Sequence, residues 1–142
     1  RLQMTTPYAR LRVASASSDQ TVIVWDVASG RALQVLAGHA QAVNACAFSP
    51  DGRQLVSASS DGTLRIWNLA SGECRALAAH DRAVHACSCT ADGERLVSAS
   101  ADGRLRVWSS DGDELIHTLN GHTDVVNDCD VGLLPPTQTL SL

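Results

Sequence analysis

An internal repeat of about 41 residues is the feature that most constrains the fold of this 142-residue sequence. The three tryptophans, Trp25, Trp67 and Trp108, recur at intervals of 42 and 41 residues, and segment 57–62 recurs almost unchanged as segment 98–103. A fixed period of about 20–50 residues indicates one supersecondary unit that is repeated and stacked against its neighbours. The repeat therefore has to be interpreted before any single motif.

Within one period the pattern is that of β-strands separated by turns. Segments 43–48, 54–59 and 63–67 are typical of three strands, and segment 73–77 of a fourth, less regular one. The turn sequences Ser49-Pro50-Asp51-Gly52 and Asp61-Gly62 stand between them. Four strands of about five residues fill the period and leave no room for a helix. The sequence predicts an all-β fold of four-stranded antiparallel units.

Composition and charge exclude several classes of protein. At 44% hydrophobic and 18% charged residues the chain can bury a core, and its formal net charge of −4 argues against a nucleic-acid binder. No apolar run reaches the roughly 18 residues of a membrane helix, and residues 1–4 do not begin an apolar signal segment. We expect no nucleic-acid or membrane partner. Five cysteines without an export signal predict reduced thiols in a cytoplasmic, intracellular setting.

The motifs Gly38-His39, 49–52, 55–59 and Trp67-Asn68 resemble the WD40 repeat. That family has the same period, four strands per blade and a Gly-His to Trp-Asp signature. The resemblance implies β-propeller blades arranged in a partial ring. It divides the chain into a partial repeat or blade, two full repeats, and the truncated start of a further repeat with an aberrant, proline-containing tail. These four ranges are 1–37, 38–78, 79–120 and 121–142.

Serine, histidine, aspartate and tryptophan recur at fixed spacing, and the first three are also the residue types of a hydrolase triad. A nucleophile is needed once, at one pocket, whereas this set recurs from repeat to repeat. The resemblance implies that these side chains form a buried hydrogen-bond clamp, which joins strands and turns within each blade. The predicted clamp residues are Ser15, Asp19, Trp25, His39, Ser57, Asp61, Trp67, His80, Ser98, Asp102, Trp108 and His122. We therefore expect no catalytic residue and no enzymatic activity.

His85, Cys87 and Cys89 alternate along one strand and, with His80, could be mistaken for metal ligands. The equivalent positions in the other repeats hold Asn44, Cys46, Phe48 and Asn127, Cys129, Val131. The cysteines therefore occupy ordinary packing positions, and neighbouring side chains on one strand face stand about 7 Å apart, too far to converge on one zinc ion. The Asp-Gly pairs fit turns better than a calcium loop, and the sequence has no phosphate-binding glycine motif. We expect no metal and no cofactor.

The resemblance implies a non-enzymatic scaffold that presents a rigid face to a protein or peptide partner. Loops before the first strand and residues beside the Asp turn gather at one mouth of such a ring, and loops on a rigid scaffold often carry recognition. Positions there that differ between repeats are the candidates for partner contact. They are Gln41, Asn44, Ser60, Arg82, His85, Ala101, Asp124 and Asn127.

An alternative function is a sensor or regulatory propeller tail of a larger signalling ATPase or kinase. Segment 42–52 resembles propellers that are fused to signalling ATPases. A nucleotide-binding loop upstream of this sequence would favour that alternative.

A partial ring leaves blade faces and strand edges open. We expect further blades in a longer parent chain, and we expect residues 1–142 alone to aggregate, stay partly molten or self-associate. Two chains that approximate a ring of about seven blades would be one form of self-association.

Overall fold

The computed structural model of the protein describes residues 10–135, which form eleven strands in three antiparallel sheets and no helix. Sheet 1 contains β1 (Arg12–Ala16), β2 (Thr21–Asp26) and β3 (Ala32–Ala37). Sheet 2 contains β4 (Val43–Phe48), β5 (Gln54–Ser59), β6 (Thr63–Asn68) and β7 (Cys74–Ala78). Sheet 3 contains β8 (Val84–Cys89), β9 (Arg95–Ser100), β10 (Arg104–Ser109) and β11 (Leu115–Asn120).

Neighbouring strands along the chain pair with each other in every sheet. The predicted fold class is confirmed: the sheets are antiparallel, sheets 2 and 3 have four strands, and residues 10–135 form an unclosed ring. The fourth strand of sheet 2 begins at Cys74, one residue later than expected. The Asn68 N–H donates to the Glu73 carbonyl at 2.8 Å, and this bond closes the turn before that strand.

The core lies between the sheets. Val22 and Val24 of sheet 1 pack against Val43 and Leu55 of sheet 2. On the opposite face of sheet 2, Val56, Ala58, Leu64 and Ile66 pack in one cluster with Val84, Cys87, Leu96 and Trp108 of sheet 3. Both faces of sheet 2 are therefore covered by apolar side chains, as in a propeller.

Residues 121–135 form no strand, but their beginning is placed like the first strand of another sheet. Val126 is buried and packs with Ala86 and Ala99 of sheet 3. Its N–H donates to the Ser100 carbonyl at 3.0 Å, just as the Val43 N–H donates to the Ser17 carbonyl at 3.0 Å. The ranges 1–37 and 121–142 extend into residues 1–9 and 136–142, which lie outside the described residues, and the four predicted ranges stay predictions.

The turn between the second and third strands of a sheet packs against the loop that leads into the next sheet. Gly62 has φ +87°, and a Cβ at this position would lie 2.7 Å from the His80 carbonyl oxygen. The His80 N–H donates to the Gly62 carbonyl at 3.1 Å. Glycine is required here both by the left-handed backbone and by the close approach. At the equivalent position of sheet 1 stands Gln20, with φ 76°.

The contact at Gly62 predicts the effect of adding one methyl group. Gly62→Ala introduces both backbone strain and a clash with the next loop, so we expect the free energy of unfolding to fall by about 2–5 kcal/mol. Gly72→Ala is the matched control, because Gly72 has φ +75° with no atom within 4 Å of its added Cβ. The control should lose only about 1–2 kcal/mol in urea unfolding. Equal losses would contradict the close approach.

Candidate functional site

Sheet 2 contains a hydrogen-bonded set of serine, histidine, aspartate and tryptophan. His39 Nδ1 lies 3.1 Å from Asp61 Oδ2, and its Nε2 lies 2.6 Å from Ser57 Oγ. The Trp67 indole N–H donates to the same Ser57 Oγ at 2.9 Å. With the Nδ1 proton donated to the carboxylate, Nε2 accepts the proton of the serine hydroxyl. Every polar atom in this chain of contacts then has a partner.

Sheet 3 repeats this arrangement. His80 Nδ1 lies 2.8 Å from Asp102 Oδ2, and its Nε2 lies 2.7 Å from Ser98 Oγ. The Trp108 indole N–H donates to Ser98 Oγ at 3.1 Å. Each histidine precedes its sheet, so the set ties a connecting loop to two strands.

The serines of both sets are inaccessible to a substrate. Ser57 and Ser98 are 0% exposed, and each accepts the indole N–H of a buried tryptophan. A catalytic serine has to reach a substrate carbon in an open pocket. The geometry of these sets is that of a structural link.

Burial lowers the pKa of the His39 and His80 imidazoles, although the carboxylates of Asp61 and Asp102 partly oppose that shift. Burial also opposes ionisation of Asp61. Hydrogen bonds from the Thr63 hydroxyl, from the Thr63 and Ala40 N–H groups and from His39 outweigh burial and lower the pKa of Asp61 to about 2. The sets therefore contain a neutral imidazole beside a charged carboxylate at neutral pH.

The remaining predicted clamp residues do not form a third complete set. The Trp25 indole N–H donates to Ser15 Oγ at 2.9 Å, while Asp19 accepts from the Thr21 hydroxyl and N–H. No histidine of residues 10–135 hydrogen-bonds to them. His122 is exposed and lies beyond sheet 3, at the other end of the described chain.

Of the predicted contact residues, Gln41, Arg82 and Asp124 have exposed side chains in loops beside the turns. The backbone of these loops is fixed by hydrogen bonds from the neighbouring strands. The Ser60 N–H donates to the Ala42 carbonyl at 2.9 Å, and the Ala101 N–H donates to the Ala83 carbonyl at 3.0 Å. Ala101 is half-buried beside its turn, and Asn127 is exposed. Their roles in binding stay predictions.

Asn44 has a contact that sequence reasoning missed. Its Nδ2 donates to Ser60 Oγ at 3.0 Å and to the Val84 carbonyl at 2.9 Å, so it joins sheet 2 to sheet 3. His85, the equivalent residue of sheet 3, is half-buried. The signal in the sequence is the serine that stands beside the Asp turn at position 60, within reach of an amide donor.

A cleft of about 470 Å³ opens beside sheet 3, between its Asp turn and the loops that contain Arg82 and Asp124. Charged side chains of both signs line it: Asp81 and Asp124 carry negative charge, and Arg82 and Arg104 positive charge. The cleft joins the turn of sheet 3 at Asp102 to the loop at His122.

The thiols of Cys46, Cys87, Cys89 and Cys129 lie in packing positions, whereas Cys74 is exposed. Burial raises the pKa of Cys89 and of Cys129 to about 11, and Cys87 Sγ donates to the Val56 carbonyl at 3.6 Å. Such thiols are poor nucleophiles and poor metal ligands at neutral pH. Within the described range no three His, Cys, Asp or Glu side chains are grouped so that they could hold a metal ion. Residues 10–135 also contain no helix that is long and apolar enough to cross a membrane.

Comparison with known proteins identifies the repeat. The family model "WD domain, G-beta repeat" matches residues 30–68 and 72–109, more than half of the chain. Nuclear distribution protein PAC1 of Mycosarcoma maydis is 48% identical over 44 residues, which are 31% of this chain and 10% of that protein. F-box-like/WD repeat-containing protein TBL1X of Mus musculus is 43% identical over 49 residues, 34% of this chain and 9% of that protein.

Solved structures show the same fold. A structure of U3-55K and a crystal structure of RRP9 WD40 repeats each superpose with a TM-score of 0.77 at 31% identity over 82% of this chain. The aligned part is 38% and 37% of those chains, respectively. The chain thus matches about a tenth of the length of the curated relatives and less than two fifths of the solved structures.

The buried sets predict large effects of single substitutions. Trp67→Ala removes a buried ring and a donor, so we expect it to lower the free energy of unfolding by about 3–5 kcal/mol. His39→Ala or Asp61→Ala should cost about 1–3 kcal/mol through lost hydrogen bonds. His117→Ala, on the exposed surface of β11, is the control and should change stability little in denaturant unfolding. A His39→Ala variant as stable as the control would refute the structural role.

The same sets predict a pH dependence of stability. Folding lowers the pKa of His39 and His80 below their ordinary value of 6.5, so the unfolded chain binds more protons in mild acid. We expect the melting temperature to fall as the pH decreases below about 6.5, with a further loss as the pH falls from 3.8 towards 2, where Asp61 is protonated. Circular-dichroism melts across this range measure both steps. A His39→Gln/His80→Gln variant should lose the first step and keep the second; an unchanged first step would assign it to other groups.

Proposed function

The chain belongs to the WD40 repeat family, whose members generally serve as protein-interaction scaffolds, and on that premise we propose that it forms part of a non-enzymatic scaffold that binds a protein or peptide partner through its loop face. The loop face comprises the loops 38–42, 79–83 and 121–125 and the adjoining turns at Asp61 and Asp102. The proposal specifies the chemical class of the partner and not its identity.

One observation carries the proposal: the backbone of the loop face is fixed while its side chains are exposed. The carbonyls of Ala42 and Ala83 accept from both the hydroxyl and the next N–H of the neighbouring strand, and His39 and His80 tie the same loops to the sheets. Gln41 and Arg82 extend from these fixed loops into solvent. A pre-ordered surface binds a partner with little loss of conformational entropy.

The charges of the cleft indicate what kind of partner fits. Asp81 and Asp124 supply negative charge to its walls, and Arg82 and Arg104 supply positive charge. A segment with charged side chains of both signs can form ion pairs there, whereas a purely apolar segment would leave these groups desolvated and unpaired. We therefore assign the loop face to a polar, charged peptide segment of a protein partner.

Catalysis has no support from these residues, because the serines of both hydrogen-bonded sets are sealed by tryptophan. The regulatory-tail alternative and the cytoplasmic location stay predictions.

The test compares two triple variants of matched composition. The loop variant is Gln41→Ala/Asp81→Ala/Arg82→Ala. The control variant, Arg53→Ala/Gln54→Ala/Glu73→Ala, likewise removes one arginine, one glutamine and one acidic residue, from exposed positions at the opposite end of the strands. Proteins captured by the immobilised chain are identified by mass spectrometry, and their affinities are then measured by calorimetry.

We expect the loop variant to bind the captured partner at least about tenfold more weakly, equivalent to roughly 1.4 kcal/mol, and the control to bind as the parent does. The melting temperatures of both variants should match that of the parent, since these side chains are exposed. Equal binding by all three proteins would place the contact surface elsewhere on the sheets.

A further inference from the structure

A second cleft lies between sheets 1 and 2, at the ends of the strands that are opposite the loop face. Its volume is about 600 Å³, and it opens where β1 begins and β6 ends, beside the turn between β4 and β5. Two of the described residues that line it are charged, and both are arginines, Arg12 and Arg53. The other lining side chains are those of Gln34, Asn68, Leu69 and Ala70. We call this site the basic cleft.

Hydrogen bonds from sheet 1 to sheet 2 fix two sides of the basic cleft. The Arg12 guanidinium, from β1, donates to the Gly52 carbonyl at 2.6 Å. The Gln34 side-chain amide, from β3, donates to the Leu69 carbonyl at 2.9 Å. Since β1 and β3 flank β2, these two bonds stand on either side of the central strand of sheet 1. The cleft is therefore formed before a ligand arrives, and binding there costs little conformational entropy.

The Arg12 side chain is held in place and keeps donor groups for a ligand. Its guanidinium lies 5.0 Å from the centre of the Phe48 ring, within the range of a cation–π contact. A guanidinium has five N–H donors, and the Gly52 carbonyl accepts only one of them. Among residues 10–135 no carboxylate forms an ion pair with Arg12 or Arg53. Within this range both positive charges are available to an anionic ligand.

Two polar side chains beside the arginines use their acceptor oxygens within their own turns. Asp51 Oδ1 accepts the Ser49 hydroxyl at 2.7 Å and the Arg53 backbone N–H at 2.9 Å. Asn68 Oδ1 accepts the Ala70 N–H at 3.0 Å, so its NH2 group is the part of that side chain that can donate to a ligand. The basic cleft thus offers two guanidiniums and an amide donor.

The positive charge belongs to this cleft and not to the repeat. The equivalent cleft between sheets 2 and 3 has neither arginine and gains acidic residues. Its equivalents of Arg12, Arg53 and Ala70 are, in that order, Gln54, Glu94 and Asp111. That cleft has a volume of about 300 Å³ and is lined by Asp111. A structural role in every blade would require the same residues at both clefts, so the difference favours a role in recognition.

We propose that the basic cleft binds a glutamate or aspartate side chain from an acidic, extended peptide segment of a protein partner. The two guanidiniums pair with the carboxylate, because the planar fork of N–H donors matches its two oxygens. Leu69 and Ala70 supply apolar contact for the methylene groups of the bound segment. The volume is within the range of sites that enclose a small ligand. This site is separate from the loop face and goes beyond the binding proposed there.

A nucleic acid fits this charge distribution less well than an acidic peptide. The chain has a formal net charge of −4, and the turns of sheet 3 on the same edge contain the acidic residues Asp92, Glu94, Asp111 and Asp113. A phosphate backbone follows a continuous basic stripe, whereas the positive charge here is confined to one cleft. A short acidic segment can place a carboxylate in the cleft without crossing the acidic turns.

Peptide binding to the full chain tests the proposal. The probe is an octapeptide of alanine and glycine with two central glutamates, and the control peptide has glutamines in their place. By surface plasmon resonance we expect the immobilised chain to bind the glutamate peptide at least about tenfold more tightly, and more weakly as salt screens the charges. Equal affinities for the two peptides would overturn the proposal. A phosphoserine peptide that binds where the glutamate peptide does not would overturn the assignment to a carboxylate.

Single variants locate the binding site. Arg12→Gln and Arg53→Gln should each weaken binding of the glutamate peptide about tenfold or more. Arg31→Gln is the control, since it removes an exposed arginine from the same edge outside the cleft, and it should bind as the parent does. Arg53 is exposed, so Arg53→Gln decides the result if Arg12→Gln lowers the melting temperature. Equal affinities for the Arg53→Gln and Arg31→Gln variants would overturn the site.

The proposals for the basic cleft and for the loop face fail independently. The loop variant keeps both cleft arginines and should bind the glutamate peptide as the parent does. The control variant of the loop-face test lacks Arg53 and should bind that peptide more weakly. A captured partner that is held by the basic cleft would be weakened by the control variant and not by the loop variant, which is the reverse of the result expected for a partner at the loop face.

Discussion

The rest of the structure depends on the covering of each sheet by its neighbours. Leu55, Val56, Ser57, Ala58 and Ser59 are consecutive and all buried, which a strand with one face in water would not permit. Such a strand is stable only with apolar surface on both sides. A single repeat therefore cannot bury its own strands, and the unit that folds is a stack of sheets.

Covering both faces brings polar groups into the interior, where each needs a partner. Ser57 of β5 and Ser98 of β9 are buried with their hydroxyl groups hydrogen-bonded to an indole and an imidazole. The imidazoles belong to the connecting loops, so the same bonds that satisfy the interior also fix the loops. The need to satisfy buried hydroxyl groups thus also fixes the backbone of the loop face. The proposed binding of a partner depends on this fixed backbone.

The sequence predicts the strands well because tryptophan, serine and the Asp-Gly turns recur at one spacing, and the resemblance to the WD40 repeat implies the pairing of His39 with Ser57, which the structure contains. It does not predict contacts that depend on the next sheet. Asn44 donates to a carbonyl forty residues away, and the position of that carbonyl follows from how the sheets stack. The register shifts between Val43 and Ala45 and between Val84 and Ala86 were not predicted either. The residue types within one repeat indicate the contact of Asn44 with Ser60 but not its contact with the Val84 carbonyl of the next sheet.

The boundaries of the family repeat and of the sheet differ by one strand. The match at 30–68 runs from β3 through β6, so one repeat contributes the outer strand of one sheet and the inner three strands of the next. Duplication of any stretch of one full period therefore inserts one complete sheet, whichever residue the duplicated stretch begins with. The inserted sheet meets its neighbours through faces of a kind already present. A chain of this design can gain or lose sheets singly by recombination without having to invent a new interface.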